Sequence, residues 1–394
     1  MIKEIEINNF KSFANFKCRL APLTIIAGDN GAGKSSFLQV LAFLKYACTS
    51  SAVSYLKDRE LEVGDILSAV TPKLTKIVSM GVSFDFGSGE GLRWDVTFAT
   101  ERTKNRIALR SERVTGMTSG TVYLRYDPDR QFRLSVRTGD EVPLAEGEYD
   151  SSLIKFIGPQ MEPDYPQLHA IKSYFENMEV LDLLDPQQMR GSSRGHERTL
   201  GVSGKNLPSF IKSLSAQEKS ALLEGLHAVA PNLSDVEGVV SQRAGWTRLQ
   251  TRERFGEEGE PIKVAANDIS DGTLRLIALF AIRALKREGG AVLLDEVEDG
   301  INARNLETVY KLMRTYGQKN RQQVIMTTHS SVLLDYAEPE DVLCLYRDGA
   351  GRTLACGMSD STLMREKLEY LYPGEALLSL EKGEWPRAFG GGQG

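Results

Sequence analysis

The run Gly28-Asp29-Asn30-Gly31-Ala32-Gly33-Lys34-Ser35 carries the strongest chemical signal in the chain. It fits the spacing GxxxxGK[ST], in which glycines let the backbone curl so that its N–H groups face a phosphate chain. The lysine then reaches the terminal phosphates, and the hydroxyl after it suits Mg²⁺. This chemistry needs a strand before the loop and a helix after it. Leu23–Ala27 is apolar and ends at glycine, and Phe37, Leu38, Leu41, Ala42 and Leu44 fall at helical spacing. The dipole at that helix start would favour the anion further.

A phosphate cradle needs a carboxylate for its metal. Ala291-Val292-Leu293-Leu294 reads as a buried strand delivering Asp295 and Glu296 at its C-terminal end, where ligands sit in open α/β sheets. Asp295 is placed to hold Mg²⁺ and Glu296 to orient or deprotonate an attacking water. A strand Val324–Thr327 leads to His329, one of four histidines, which would steady that water or serve as a structural histidine. Ser270-Asp271-Gly272-Thr273 opens a further helix. Ser270 reads there as an N-cap, or as an anion contact on a neighbouring subunit's nucleotide.

The elements that would position these residues occupy both ends of the chain. The first 160 residues hold strands at Ile2–Ile7 and Asn15–Leu20 and then the phosphate loop. An antiparallel meander follows (Ile77–Phe84, Leu92–Phe98, Thr121–Tyr126, Phe132–Val136). Residues 161–232 read mainly helical, with an exposed polar loop from Met189 to Lys205. Residues 233–389 open on strand-like segments (Val236–Gln242, Trp246–Phe255, Pro261–Val264), and from Thr273 helix and strand alternate, the parallel α/β signature. Residues 390–394 read as a disordered glycine-rich tail.

Composition sets outer bounds. The chain has 394 residues, 41% apolar and 26% charged, which excludes wholesale disorder. Its net charge of −5 argues against coating a polyanion, though not against a local basic patch. Four scattered cysteines (Cys18, Cys48, Cys344, Cys356) indicate neither a disulfide framework nor a zinc site. No apolar run reaches a membrane span, and no secretory h-region opens the chain, so a cytoplasmic location is expected. No repeat of 20–50 residues shows.

Together these motifs resemble the ABC-type ATPases of the SMC/RecF/OLD group, and most of all the stand-alone OLD-like predicted ATPases of prokaryotic defence systems. The resemblance rests on Asn9-Phe10-Lys11-Ser12-Phe13 before the glycine loop, Gly204-Lys205-Asn206-Leu207, Ser270 to Arg275, and Asp295 to Ile301. It implies an α/β fold: a P-loop NTPase head with a mixed sheet, an antiparallel lobe and a helical insert. It also implies ATP hydrolysis with Mg²⁺. Gly28, Asn30, Gly31, Ala32, Gly33, Lys34, Ser35 and Ser36 would contact nucleotide, with Lys11 nearby or simply a solvated strand-end lysine. Ser35 and Asp295 would hold the metal, joined by Gln160 unless it is an ordinary surface glutamine. Glu296 and His329 would be catalytic, and Asp299 to Asn302 would form the D-loop.

Ser270 and Gly272 would touch the γ-phosphate of an opposing protomer, making a head-to-tail dimer or higher oligomer. The signature departs from Leu-Ser-Gly-Gly-Gln by reading Ile-Ser-Asp-Gly-Thr, which sets the Asp271 carboxylate near bound phosphate. The insert is too short for a coiled-coil arm. The 65 residues after His329 are too few for a TOPRIM-type nuclease domain, so any effector is expected on a separate protein, such as a nuclease. The leading function is thus an ATPase controlling an effector in antiviral defence. The alternative is a RecF-like DNA-binding repair ATPase, with the basic stretch Arg190 to Arg198 either touching DNA phosphates or forming a solvated loop.

Overall fold

The computed structural model describes residues 1–71, 76–87, 89–127, 148–181, 184–241, 245–256, 259–285, 288–381 and 383–390, with the backbone alone at 133–135 and 141–142. Of the expected tail 390–394, Gly390 closes the helix Trp385–Gly390 and the rest lies outside them, as do the ends of the expected strand Phe132–Val136.

Six strands form the central sheet in the order Glu179–Leu181, Ala291–Leu294, Gln323–Thr327, Leu23–Gly28, Val342–Arg347 and Thr353–Gly357. The first five are parallel and the last is an antiparallel edge. Strands covered on both faces read as continuous apolar runs, and Ala291–Leu294, Val324–Met326 and Val342–Tyr346 do. Side chains alternate between two cores. Ile26, Leu293, Ile325 and Leu345 face the phosphate-loop helix Lys34–Thr49 and the antiparallel sheet. Ile25, Val292, Met326 and Cys344 face the helices Asp271–Ala284 and Leu306–Asn320.

The antiparallel sheet begins with the first two strands of the chain. Its order is Phe16–Arg19, Ile2–Asn8, Ile77–Phe84, Leu92–Glu101, Arg106–Gly116, Val122–Tyr126, Arg133–Ser135 and Glu141–Val142. A third sheet pairs Trp246–Glu253 with Leu233–Val240, Ile262–Ala265 and the short Ser193–Arg194. Gln323 ties the central sheet to the antiparallel one. Its amide donates to the carbonyls of Ile2 and Ala21, and its oxygen accepts from Ile2 N and the Tyr174 hydroxyl.

The segment 161–232 is helical at Pro166–Glu176, Pro186–Arg190, Leu207–Ser213 and Ala216–His227, but it also holds a strand. Glu179–Leu181 pairs in parallel with Val292–Leu294 as an edge of the central sheet. Three residues carry too little periodicity to be read as a strand from sequence; pairing and burial supply the missing stabilisation. Among the described residues no helix is long and apolar enough to cross a membrane.

Candidate active site

The phosphate-loop strand and its two neighbours on one side end together, and their loops bring the chemistry-bearing residues to one sheet edge. Gly28, Gly31 and Gly33 adopt φ of +157°, +77° and +108°, which curls the loop before the helix at Lys34. At Gly28 an added Cβ would lie 2.3 Å from the Leu345 carbonyl oxygen, so only glycine fits between the loop and the neighbouring strand. The loop is braced from outside. Arg347 Nε donates to Gly31 O at 2.9 Å, and Thr353 Oγ1 donates to Ala32 O at 2.8 Å and shares a hydroxyl–hydroxyl hydrogen bond with Ser12 Oγ at 2.7 Å.

Lys34 is buried, and its ammonium donates to Gly28 O at 2.7 Å and Asp29 O at 3.2 Å while standing 3.4 Å from His329 Nδ1. Burial pushes its pKa below the ordinary lysine value, against the opposing pull of Glu296, Asp295, Asp29 and Glu298. A desolvated cation inside a curled glycine loop is complementary to a phosphate chain, so the residues present fit a nucleotide. Asn30 is exposed at the loop tip and Ser36 is half-buried in the helix's first turn.

Ser35 Oγ donates to Asp295 Oδ1 at 3.2 Å, and Thr327 Oγ1 donates to the same oxygen at 2.5 Å. Thr327 Oγ1 also accepts from Glu296 N at 2.8 Å. Among the described residues no cluster of three or more His, Cys, Asp or Glu side chains could hold a metal alone. Mg²⁺ seldom asks for one: it takes one or two protein oxygens and completes its shell with water and phosphate, so converging Ser35 and Asp295 oxygens fit it. Glu296 sits at φ +45°, a left-handed backbone unusual for a residue with a side chain. This turn sets its carboxylate 3.6 Å from His329 Nε2. Glu298 reaches back to accept from His329 N at 2.5 Å.

The remaining expected residues lie differently. Lys11 also has positive φ, +49°, and its ammonium donates to Gln39 on the phosphate-loop helix. Gln160 is exposed, and its side chain folds back over Gly158. Ser270 is exposed and N-caps its helix, accepting from Thr273 N at 3.2 Å. Gly272 is buried, and a Cβ there would fall 1.8 Å from Gly300 O. Arg275 Nη1 donates to Asp299 Oδ2 at 2.7 Å across the same junction.

The arginines of the 190–198 stretch are engaged within the chain. Arg190 pairs with Asp271, Arg194 lies over the Trp246 ring, and Arg198 pairs with Glu218. Sequence reading missed Thr327, Arg347 and Thr353. Thr327 alone left a trace, as a hydroxyl at the end of an otherwise apolar strand.

Residues 23–335 match the family model AAA_21, described as "AAA domain, putative AbiEii toxin, Type IV TA system". An OLD nuclease of Thermus scotoductus is 19% identical over 368 residues, covering 90% of this chain; the chain spans 63% of the length of that curated relative. An Smc head bound to the C-winged helix domain of ScpA superposes with a TM-score of 0.57 at 15% identity, covering 90% of this chain and 96% of that one. An Smc head with an extended coiled coil, bound to the C-terminal domain of ScpA from Pyrococcus furiosus, gives 0.50 at 14% identity, with coverage of 93% and 99%. These structural likenesses establish the head fold. The chain belongs to the AAA_21 family and is an SMC/OLD-like ABC-type ATPase.

Proposed function

We propose that two copies close head-to-tail over ATP, each offering the Lys34 loop to one nucleotide and the Ser270 turn to the other. Hydrolysis between them would control a separate effector protein. The observation that carries this reading is the division of the site. Lys34, Ser35, Asp295, Glu296 and His329 meet at one sheet edge, whereas Ser270 is exposed and, among the described residues, its side chain bonds within its own helix. An anion contact so placed is useful to a neighbour's nucleotide.

In this reading the loop N–H groups and Lys34 bind and orient the phosphates. Ser35 and Asp295 hold Mg²⁺, which supplies charge neutralisation at the terminal phosphates. Glu296 accepts the proton of the attacking water, and His329 orients that water against the carboxylate. Thr327 fixes both acids by bonding Asp295 Oδ1 and Glu296 N. The effector is proposed to be a nuclease or toxin of a prokaryotic antiviral system, in the cytoplasm. The names of the relatives support this: an OLD nuclease, and a family description citing a toxin–antitoxin toxin. The RecF-like alternative loses its main feature, because the basic stretch is paired internally.

The test is a pair of variants challenged with phage and assayed with ATP. Lys34→Ala should lose ATP binding and protection together, while Glu296→Gln should bind ATP, dimerise and retain its effector on purification. Protection by Lys34→Ala at the wild-type level would sink the ATP-controlled role.

A further inference from the structure

Asp271 is an awkward residue for the function proposed above. It occupies the first turn of the helix Asp271–Ala284, one position from Ser270, where a neighbour's γ-phosphate would arrive. An acid at a helix N-terminus is favourable by itself, but two negative charges brought together across an interface oppose its closing.

The structure supplies a counter-charge from elsewhere in the chain. Arg190, the last residue of the helix Pro186–Arg190, extends across to the signature turn. Its Nη2 donates to Asp271 Oδ1 at 2.6 Å and to the Ile269 carbonyl at 2.7 Å, so one guanidinium holds the residues on both sides of Ser270. The Arg190 side chain is 22% exposed, whereas Asp271 is 65% exposed and faces outward. Arg190 Nε is buried and finds no partner among the described residues. An arginine that leaves one N–H unsatisfied to reach these two acceptors is placed for them rather than for its own best hydrogen bonding.

The other side of the turn is also fixed. Gly272 lies against Gly300, and Arg275 is paired with Asp299. Ser270 is therefore held outward between two clamps, one from residues 161–232 and one from the acid-bearing loop.

We propose that Arg190 is a positioning residue for the trans phosphate contact: it neutralises Asp271 and sets the Ser270 turn, so that the turn accepts the neighbour's nucleotide. The inference rests on the head-to-tail reading. It gives residues 161–232 a means of controlling dimerisation, since any shift of the Pro186–Arg190 helix that withdraws the guanidinium uncovers the Asp271 carboxylate.

The experiment measures the ATP concentration giving half-maximal dimer by light scattering, with every protein carrying Glu296→Gln. Arg190→Ala should raise that concentration about tenfold, and adding Asp271→Asn should return it to within about twofold of the parent. A cap acting only on the Ile269 carbonyl would not be rescued by Asp271→Asn. Should Arg190→Ala fail to fold, Arg190→Gln carries the same test, because it keeps a donor for the carbonyl and removes the charge. Unchanged dimerisation in the Arg190 variants, or a defect that Asp271→Asn leaves in place, overturns the proposal. A parent that stays monomeric at saturating ATP overturns the head-to-tail reading and this inference with it.

Discussion

The Glu296 carboxylate and the His329 imidazole stand 3.6 Å apart, on loops that follow two adjacent parallel strands. Neither is held by its own loop alone: Glu296 N is bound by Thr327, and His329 N by Glu298. The pair is thus cross-braced, which is what general-base chemistry on a positioned water requires. Glu296→Gln should keep ATP affinity while kcat falls roughly 10²–10⁴-fold. His329→Ala should cost less, since it removes orientation rather than the proton acceptor. Single-turnover hydrolysis beside nucleotide-binding titrations separates the two effects. Wild-type kcat in Glu296→Gln would reassign the base.

Thr327→Val keeps the shape of the side chain and deletes the hydroxyl that bonds Asp295 Oδ1 and Glu296 N. Losing a buried hydrogen-bonding group costs about 1–3 kcal/mol of stability. Hydrolysis should fall and the Mg²⁺ concentration for half-maximal activity should rise, because Asp295 is no longer held toward Ser35. A Mg²⁺ titration in which the midpoint does not move would remove Thr327 from metal positioning.

Gly272→Ala puts a Cβ 1.8 Å from the Gly300 carbonyl oxygen, a contact that only backbone movement relieves. Overpacking of this kind costs about 1–3 kcal/mol. The variant should bind ATP with wild-type affinity and lose turnover, since the signature turn and the loop after Glu296 are forced apart. Weaker ATP binding in this variant would show the junction acting on the Lys34 site instead.

Glu112 gives a pH signature far from the nucleotide. It is buried and accepts from Trp94 Nε1 at 2.8 Å, Ser152 Oγ at 2.5 Å and Leu153 N at 2.7 Å. Burial pushes its pKa up to about 7, against those three donors. The folded chain then holds a proton that the unfolded chain releases between about pH 4.5 and 7, so this group's contribution to stability falls as pH rises through that window. The loss is on the order of 3 kcal/mol. Urea midpoints measured from pH 5 to 8 should show the decline, and Glu112→Gln should flatten it. An identical pH slope in the variant would assign the effect elsewhere.

The phosphate loop, the acid pair and the histidine are legible because each follows an apolar strand and uses residue types that few other roles demand. Glu179–Leu181 is not legible: three residues have no period, and only pairing with Val292–Leu294 makes them a strand. The bracing side chains Arg347 and Thr353 escape for another reason. They act on Gly31 and Ala32, residues 316 and 321 positions away, so their partners exist only after the strands assemble. Arg190 was legible as a charge but misleading as a surface one, since its carboxylate partner lies 81 residues on.

ATP shared between the Lys34 loop of one copy and the Ser270 turn of another would bring those two elements side by side at each nucleotide. Asp29 and Asp268 are both exposed, and they flank the two contacts without being among them, so each accepts a cysteine that leaves Lys34 and Ser270 in place. Two Glu296→Gln proteins, one bearing Asp29→Cys and the other Asp268→Cys, are mixed and treated with a short bismaleimide. A cross-linked pair is expected only in the mixture and only with ATP and Mg²⁺. An ATP-dependent dimer that yields no such cross-link would contradict the head-to-tail reading.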